Sequence, residues 1–307
     1  MQHFFRCVNS AKIDMKQKDL SVIIVSYNCL PLIKQCVDSI DMYNDIGESL
    51  EVIVVDNSSD DETMEWLRNE RPDIISIANE NKGFGHGNNV GADASRGRYL
   101  LFLNPDTILI EPVFRYAIDK FESDPKLGMF GVRLLDSEQK RNHSFLLRWV
   151  PGMLRTKMND ILVALDIFIP SKMFTLGADI FIRKDLFYEA GCFDDSFFMY
   201  CEEADLTNRV NRSGMKNRFF RDKRIIHLEG KTQASPDMLR TYKRLTESRK
   251  HYCSKYGLDF QKNLNKELRY CRFKKTALAI SGKRSKVEGY NKIIDYIEQT
   301  LVAERGQ

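Results

Sequence analysis

The sequence predicts an α/β protein with a mostly parallel central sheet, and three observations carry that prediction. Apolar, β-branched runs alternate with segments of helical spacing through the first hundred of 307 residues. Several of these runs finish on small or polar residues, as strand tips do at the ligand-binding edge of open α/β sheets. Finally, Leu100-Leu-Phe-Leu103 is apolar at every position, the pattern of a strand covered on both faces.

The elements follow in order. Residues 1–19 read as a polar lead-in. Residues 21–28, SVIIVSYN, form the first strand and its tip, and apolar positions Leu32, Ile33, Cys36, Val37 and Ile40 make a helix of 31–43. A second strand spans 51–56, and Asn57-Ser-Ser-Asp60 supplies turn and capping groups for a helix over 62–71 that stops before Pro72. Strand three is 74–78, followed by a glycine-rich loop at 83–91 and a short helix. Strand four is 99–103, and Pro105 ends its ladder while holding Asn104 extended, so that Asp106 emerges at the tip. Right-handed crossovers join these units into a parallel sheet. Further on, the pattern gives a helix over 110–123, a strand over 127–134, an irregular stretch over 140–176 and a strand over 176–183. An extended segment that becomes a helix covers 197–213, a strand lies within 218–228, and basic helices run from 238 onward. The resulting organisation is a lead-in (1–19), a main α/β domain (20–236, with halves 20–108 and 109–236) and a helical basic extension (237–307).

Apolar content of 43% and charged content of 29% match an ordinary folded chain, which excludes a disordered or fibrous class. Seven scattered cysteines, none spaced as CxxC, exclude a disulfide framework or structural zinc and fit a reducing compartment. The N-terminus lacks an apolar signal core, and no run approaches the roughly 20 apolar residues a membrane span needs. The expectation is a soluble, cytoplasmic protein. Net charge is +4, yet residues 237–307 hold 17 Lys/Arg against 8 Asp/Glu, which leaves the first 236 residues at −5. The basic end fits either solvated helix faces or contact with an anionic surface.

Four groupings carry chemistry. Asp56, at a strand tip beside Ser26, Tyr27 and Asn28, can accept from a ribose hydroxyl or a pyrimidine N–H, or can cap the next helix. The stretch Asn79 to Gly91 packs four glycines between Gly83 and Gly91, fit for close approach of backbone N–H groups to a phosphate or for a tight turn. It is not a dinucleotide fingerprint, since Asn88 and Val90 stand where glycine is required, and no GKS or GKT follows to make a P-loop. Glu202, Glu203 and Asp205 follow the aromatic stretch Phe197-Phe-Met-Tyr200 at a helix start. Partial burial there would suit a general base, and acidic residues also simply favour helix N-termini. His227 sits at a strand end, either as a structural residue or as a partner of Asp106 on a Mn²⁺-like cation.

In this order, SVIIVSYN (21–28), VVDNSS (54–59), NKGFGHGNN (81–89), LFLNPD (101–106), GADIFIR (177–183), GCFDDSFFMYCEEADLTNR (191–209) and the histidine of IIHLEGKT (225–232) resemble the family 2 inverting glycosyltransferases. These motifs span residues 21–232. The NPD form and FFMYCEEADL resemble the branch of bacterial rhamnosyltransferases that build O-antigens, capsules and other surface polysaccharides. The resemblance implies a GT-A fold and sugar transfer from a nucleotide sugar, dTDP-rhamnose in that branch, to a hydroxyl of a lipid-linked saccharide. It implies donor contacts at Ser26, Tyr27, Asn28, Asp56, Asn57, Lys82, Gly83, Asn88, Asn104 and Asp106. It further implies Mg²⁺ or Mn²⁺ on Asp106 and His227, and catalysis by Glu203 with Glu202 and Asp205 beside it. Two departures stand out: Asn104 replaces the first carboxylate of the family's DxD, and Glu203 replaces its usual Asp with a longer side chain, which leaves Glu202 as the alternative base.

The basic residues Arg240, Lys243, Arg244, Arg249, Lys250, Lys274 and Lys275 are the expected contact with the anionic inner face of the plasma membrane. Competing readings are a UDP-hexose or other donor, a nicotinamide oxidoreductase that the failed fingerprint disfavours, and a non-catalytic saccharide- or nucleic-acid-binding protein. No interleaved aromatic platform of an RNA module is present, so no nucleic-acid partner is expected. The sequence leaves the oligomeric state open.

Overall fold

The computed structural model describes residues 17–148, 153–228 and 238–305. Most of the lead-in, and Glu229 to Thr232 of the histidine segment, lie outside them. β1 (Lys18–Ser26), β2 (Leu50–Asp56), β3 (Ile75–Ala78) and β4 (Gly97–Leu103) fall where the apolar runs predict them. The helices α1 (Leu30–Met42), α2 (Thr63–Glu70), α3 (Phe84–Ala94) and α4 (Phe114–Ser123) interleave with these strands and with β5 (Thr107–Leu109) and β6 (Leu127–Leu135). Next come β9 (Asp179–Arg183), α6 (Lys184–Glu189), α7 (Glu202–Arg212) and β10 (Lys216–His227).

One eight-stranded sheet has the order β3-β2-β1-β4-β9-β6-β10-β5. The pairs among β1 to β4 and the pair β6–β10 are parallel, whereas β9 runs antiparallel to both its neighbours and β5 antiparallel to β10. Alternation along the central strands assigns their faces. Leu20, Val22 and Ile24 of β1, with Leu101 and Leu103 of β4, pack under α1, α2 and α4. Ile23, Val25, Leu100 and Phe102 pack under α3, α6 and α7. The apolar run at 100–103 is therefore covered on both sides, as its composition predicts.

The structure corrects two local expectations. Residues 140–176 are not wholly irregular: β7 (Phe145–Leu147) and β8 (Met173–Thr175) form a small antiparallel sheet, with α5 (Met153–Ala164) between them in sequence. Strands of three residues carry too little alternation to be read from sequence. The glycine-rich segment is not an open loop either. Gly83, at φ 111°, precedes α3, and the later glycines are helical. A Cβ at Gly87 would lie 2.9 Å from Val25, and one at Gly91 would strike Ile23 and sit 3.3 Å from Val55. These glycines let the helix backbone close onto β1 and β2.

The basic C-terminal part is helical as expected: α8 (Met238–Tyr256), α9 (Phe260–Ile280) and α10 (Arg284–Arg305). Tyr242, Leu264, Leu268, Cys271, Ile293, Ile294, Ile297 and Leu301 form its own small core.

Candidate active site

The C-terminal tips of β1 and β2 meet at Asp56. Its Oδ1 accepts from Ser26 Oγ at 2.7 Å and Ser59 Oγ at 2.5 Å, and its Oδ2 accepts from the Ser59 N–H at 3.0 Å. A carboxylate has about four acceptor positions, so this buried group keeps room for one further donor. Asn28, in a left-handed turn at φ 49°, accepts the Asp60 N–H at 2.6 Å and donates its own N–H to Ser59 Oγ at 2.9 Å. Ser59, which the sequence reading passed over, thus ties the two tips together. The polar run Asn57-Ser-Ser-Asp60 was the available signal. Tyr27 stands 48% exposed at the same edge. Asn57 donates to the Gly83 carbonyl at 3.2 Å and accepts from Asn79 at 2.8 Å.

Two of the expected donor contacts also have local partners. Asn88 is buried and donates to the Phe84 carbonyl one turn back in α3, at 3.0 Å. Lys82 is exposed and pairs with Glu80 at 3.0 Å.

Asp106 and His227, 121 positions apart, do converge. Thr107 faces His227 across the β5–β10 ladder, and the Leu228 N–H donates to the Asp106 carbonyl at 2.9 Å. Asp106 Oδ1 lies 3.3 Å from His227 Nε2, and Asn104 Nδ2 lies 3.5 Å from the same nitrogen. Asn104 Oδ1 and His227 Nδ1 are buried with no hydrogen-bond partner among the described residues. Carboxylate, imidazole and amide oxygen in one place fit a Mg²⁺- or Mn²⁺-like ion that completes its shell with diphosphate or water oxygens. No group of three or more His, Cys, Asp or Glu placed to hold a metal ion occurs among the described residues, so this protein-only set is incomplete.

The third component is the start of α7. Tyr200 (φ 75°) and Cys201 (φ 72°) are consecutive non-glycine residues in the left-handed region. Such residues cost about 1–3 kcal/mol each and persist where surrounding contacts dictate them. Those contacts are visible: the Phe84 N–H donates to the Phe198 carbonyl at 2.9 Å, and Ser248 Oγ donates to the Met199 carbonyl at 2.7 Å. The strained turn delivers Glu202 and Glu203 against α3 and Gly177. Oε2 of each glutamate is buried without a partner among the described residues. Burial pushes Glu203 up to about 7, although the Gly177 amide hydrogen bonds to it. Burial, and then the neighbouring Glu203 charge, hold Glu202 well above the carboxylate range.

Asp205 is differently placed. It is fully buried, with Oδ1 taken by Tyr256 OH at 2.7 Å and Lys255 at 2.8 Å, and Oδ2 taken by Arg209 at 2.7 Å. These bonds fasten α7 to α8, and the structure does not present Asp205 as a free base.

One short segment links the components. The Asn104 N–H donates to the Ala178 carbonyl at 3.0 Å, and a Cβ on the adjacent Gly177 would lie 3.9 Å from Glu203 Oε1 and 3.5 Å from the Phe84 ring. Gly177 and Phe84 are site residues that the sequence reading did not single out. The cation-fitting group and the raised carboxyl therefore flank the same turn into β9.

The model of the family described as Glycosyl transferase family 2 matches residues 21–188, more than half of the chain. Rhamnosyltransferase WbbL of Escherichia coli (strain K12) is 25% identical over 224 residues, covering 67% of this chain and 82% of that protein. The N-acetylglucosaminyl-diphospho-decaprenol L-rhamnosyltransferase of Mycobacterium tuberculosis (strain ATCC 25618 / H37Rv) is 21% identical over 238 residues, covering 68% and 75%. Among solved structures, the mannosyltransferase PcManGT from Pyrobaculum calidifontis, in complex with GDP-Man and Mn²⁺, superposes with a TM-score of 0.58 at 16% identity. That match covers 96% of this chain and 89% of that one, and it identifies the architecture as the GT-A fold. The chain belongs to glycosyl transferase family 2 and is a glycosyltransferase.

Proposed function

We propose that this enzyme transfers L-rhamnose from dTDP-rhamnose, with inversion, to a hydroxyl of a lipid-linked saccharide during assembly of a bacterial surface polysaccharide. The observation that carries the chemistry is the Gly177–Ala178 turn, with Asn104 bonded on one side and Glu203 on the other. Support for the donor and acceptor comes from the relatives: WbbL is named as a rhamnosyltransferase, and the mycobacterial protein is named for a diphospho-decaprenol acceptor.

In this reading the nucleoside rests on the β1–β2 tips, where Asp56 accepts from it. Asp106 and His227, with Asn104 Oδ1 beside them, would hold the divalent cation, which supplies charge neutralisation for the departing diphosphate. Glu203 takes the proton of the acceptor hydroxyl as that oxygen attacks the anomeric carbon from the face opposite the nucleotide. A base that titrates near neutrality suits this task, because it is both available and strong enough. Burial favours the protonated form of Glu202, which would keep the pair at a single negative charge.

A hexosyl donor is the second reading, favoured by the GDP-Man seen in PcManGT. The test is nucleotide release from a panel of dTDP-, UDP- and GDP-sugars with a polyprenyl-diphosphate saccharide acceptor. The proposal expects dTDP-rhamnose to lead the panel, with turnover lost in EDTA and restored by Mn²⁺ or Mg²⁺. A UDP- or GDP-hexose in first place would replace the donor, and full turnover in EDTA would remove the cation.

A further inference from the structure

We infer that the tip of the α9–α10 hairpin is a docking element for an anionic lipid surface. Several of the cations first expected to make such a contact are engaged elsewhere. Arg249 is paired with Glu267 at 2.6 Å and Lys250 with Glu304 at 2.6 Å, while Lys243 lies over the Tyr296 ring and Arg244 over the Phe198 ring. The hairpin tip is different. From residue 268 to 287 the chain carries seven Lys or Arg and no Asp or Glu. Among the described residues, only Arg272 of these seven has a carboxylate partner, Glu298 at 2.6 Å.

The tip also lacks a packing reason to exist. The hairpin's core ends at Cys271 on α9 and begins again at Ile293 on α10, and α8 starts with Met238 against Gly289. Beyond that level the last nine residues of α9 project about 13 Å. Phe273 is 53% exposed and Ile280 84% exposed, in the company of Lys274, Lys275, Lys283, Arg284 and Lys286. Lys274 lies over the Tyr270 ring, and none of these five cations has a carboxylate partner among the described residues. Apolar side chains among such cations on a helix end complement an interface of acyl chains and anionic headgroups. A nucleic acid would use the charge but leaves Ile280 and Phe273 unexplained.

α8 links the hairpin to the catalytic mouth. The N-terminal half of α8, whose first residue abuts the hairpin at Gly289, carries Arg244 over Phe198 and Ser248 on Met199, just ahead of Glu202. Docking would bring that mouth toward a membrane-anchored acceptor. This last step rests on the function proposed above, whereas the docking itself does not.

The test is flotation of the full chain with phosphatidylcholine vesicles, with and without phosphatidylglycerol, alongside a polyuridylate-binding arm. The triple variant Lys283→Gln, Arg284→Gln, Lys286→Gln and the single variant Ile280→Ser are compared with the unaltered chain. None of these residues belongs to a buried core cluster, and matched melting curves check folding. The unaltered chain is expected to float only with anionic vesicles. The triple variant should partition about 100-fold less, given roughly fivefold per cation near such a surface. Ile280→Ser should weaken binding without changing its salt dependence. Vesicle binding independent of phosphatidylglycerol, full binding by the triple variant, or binding to polyuridylate with none to vesicles would each overturn the inference. Because flotation needs no turnover, a wrong donor or acceptor leaves its result unaffected.

Discussion

Two adjacent glutamates, both raised by burial, are the feature on which the proposed chemistry turns. Their presence was legible in the sequence, because three carboxylates after an aromatic stretch stand out. Their division of labour was not legible, since it depends on partners more than 25 residues away. Tyr256 and Lys255 take up Asp205, and Gly177 meets Glu203. With Glu203 as the proposed base, Glu203→Gln should lower kcat by about 10²–10⁴-fold with donor KM little changed. Glu202→Gln imitates the protonated form that burial favours, so kcat should stay within about threefold, a few tenths to under 1 kcal/mol of barrier. A base raised to about 7 also fixes the sign of the pH profile: kcat/KM rises with pH and levels above that value. Initial rates of nucleotide release for both variants between mildly acid and mildly alkaline pH check all three statements. A lost acid limb in Glu202→Gln, with Glu203→Gln near normal, would reverse the two roles.

At the scale of elements, periodicity located the four leading strands and their helices because each carries a full alternation or several helical turns. It missed β5, three residues long, although that strand is what sets Thr107 opposite His227. It also read the glycines of 83–91 as a loop, since glycine weakens a helix by about 1 kcal/mol relative to Ala when nothing else intervenes. Here something does intervene: α3 sits so close to β1 that only hydrogen fits at Gly87 and Gly91. Gly91→Ala would drive a methyl into Ile23, a residue buried with no slack, and should destabilise the fold by about 1–3 kcal/mol. For a chain of this size that is a melting temperature lower by about 2–10 °C. The shift of α3 would also move Phe84 relative to Gly177, so donor KM should rise as well. Calorimetry and donor titration on the one variant check both effects. An unchanged melting temperature would mean the helix has more room than the backbone separation indicates.

Across the whole molecule, carboxyls shifted from their ordinary range set how stability responds to pH, and two opposed groups decide the sign. Asp19, Asp61 and Asp73 are held below the usual carboxylate range: the Arg98 guanidinium does this for Asp19, the Arg71 guanidinium for Asp73, and hydrogen bonds from Thr63 and Leu30 overcome burial at Asp61. Their stabilisation is fully present above the unfolded value near 4 and is lost as pH falls through the lowered value. Asp179, Glu202 and Glu203 are raised by burial. Their contribution is complete below about 4 and is lost as pH rises through the raised value, because the folded state keeps protons that the unfolded chain has released. Stability should therefore peak at about pH 4 to 5 and decline toward pH 8. Asp179 separates this effect from catalysis. It is fully buried at the edge of β9, with Oδ2 accepting the Val132 N–H at 2.6 Å, and it belongs to neither the donor pocket nor the carboxylate pair. Asp179→Asn keeps that acceptor and removes the titration, so the fall in melting temperature from pH 5 to pH 8 should shrink while the acid limb of activity stays near 7. Melting curves at the two pH values, with rates measured on the same preparations, test the separation. An Asp179→Asn protein whose melting temperature falls as steeply as before would assign the alkaline loss to the glutamate pair instead.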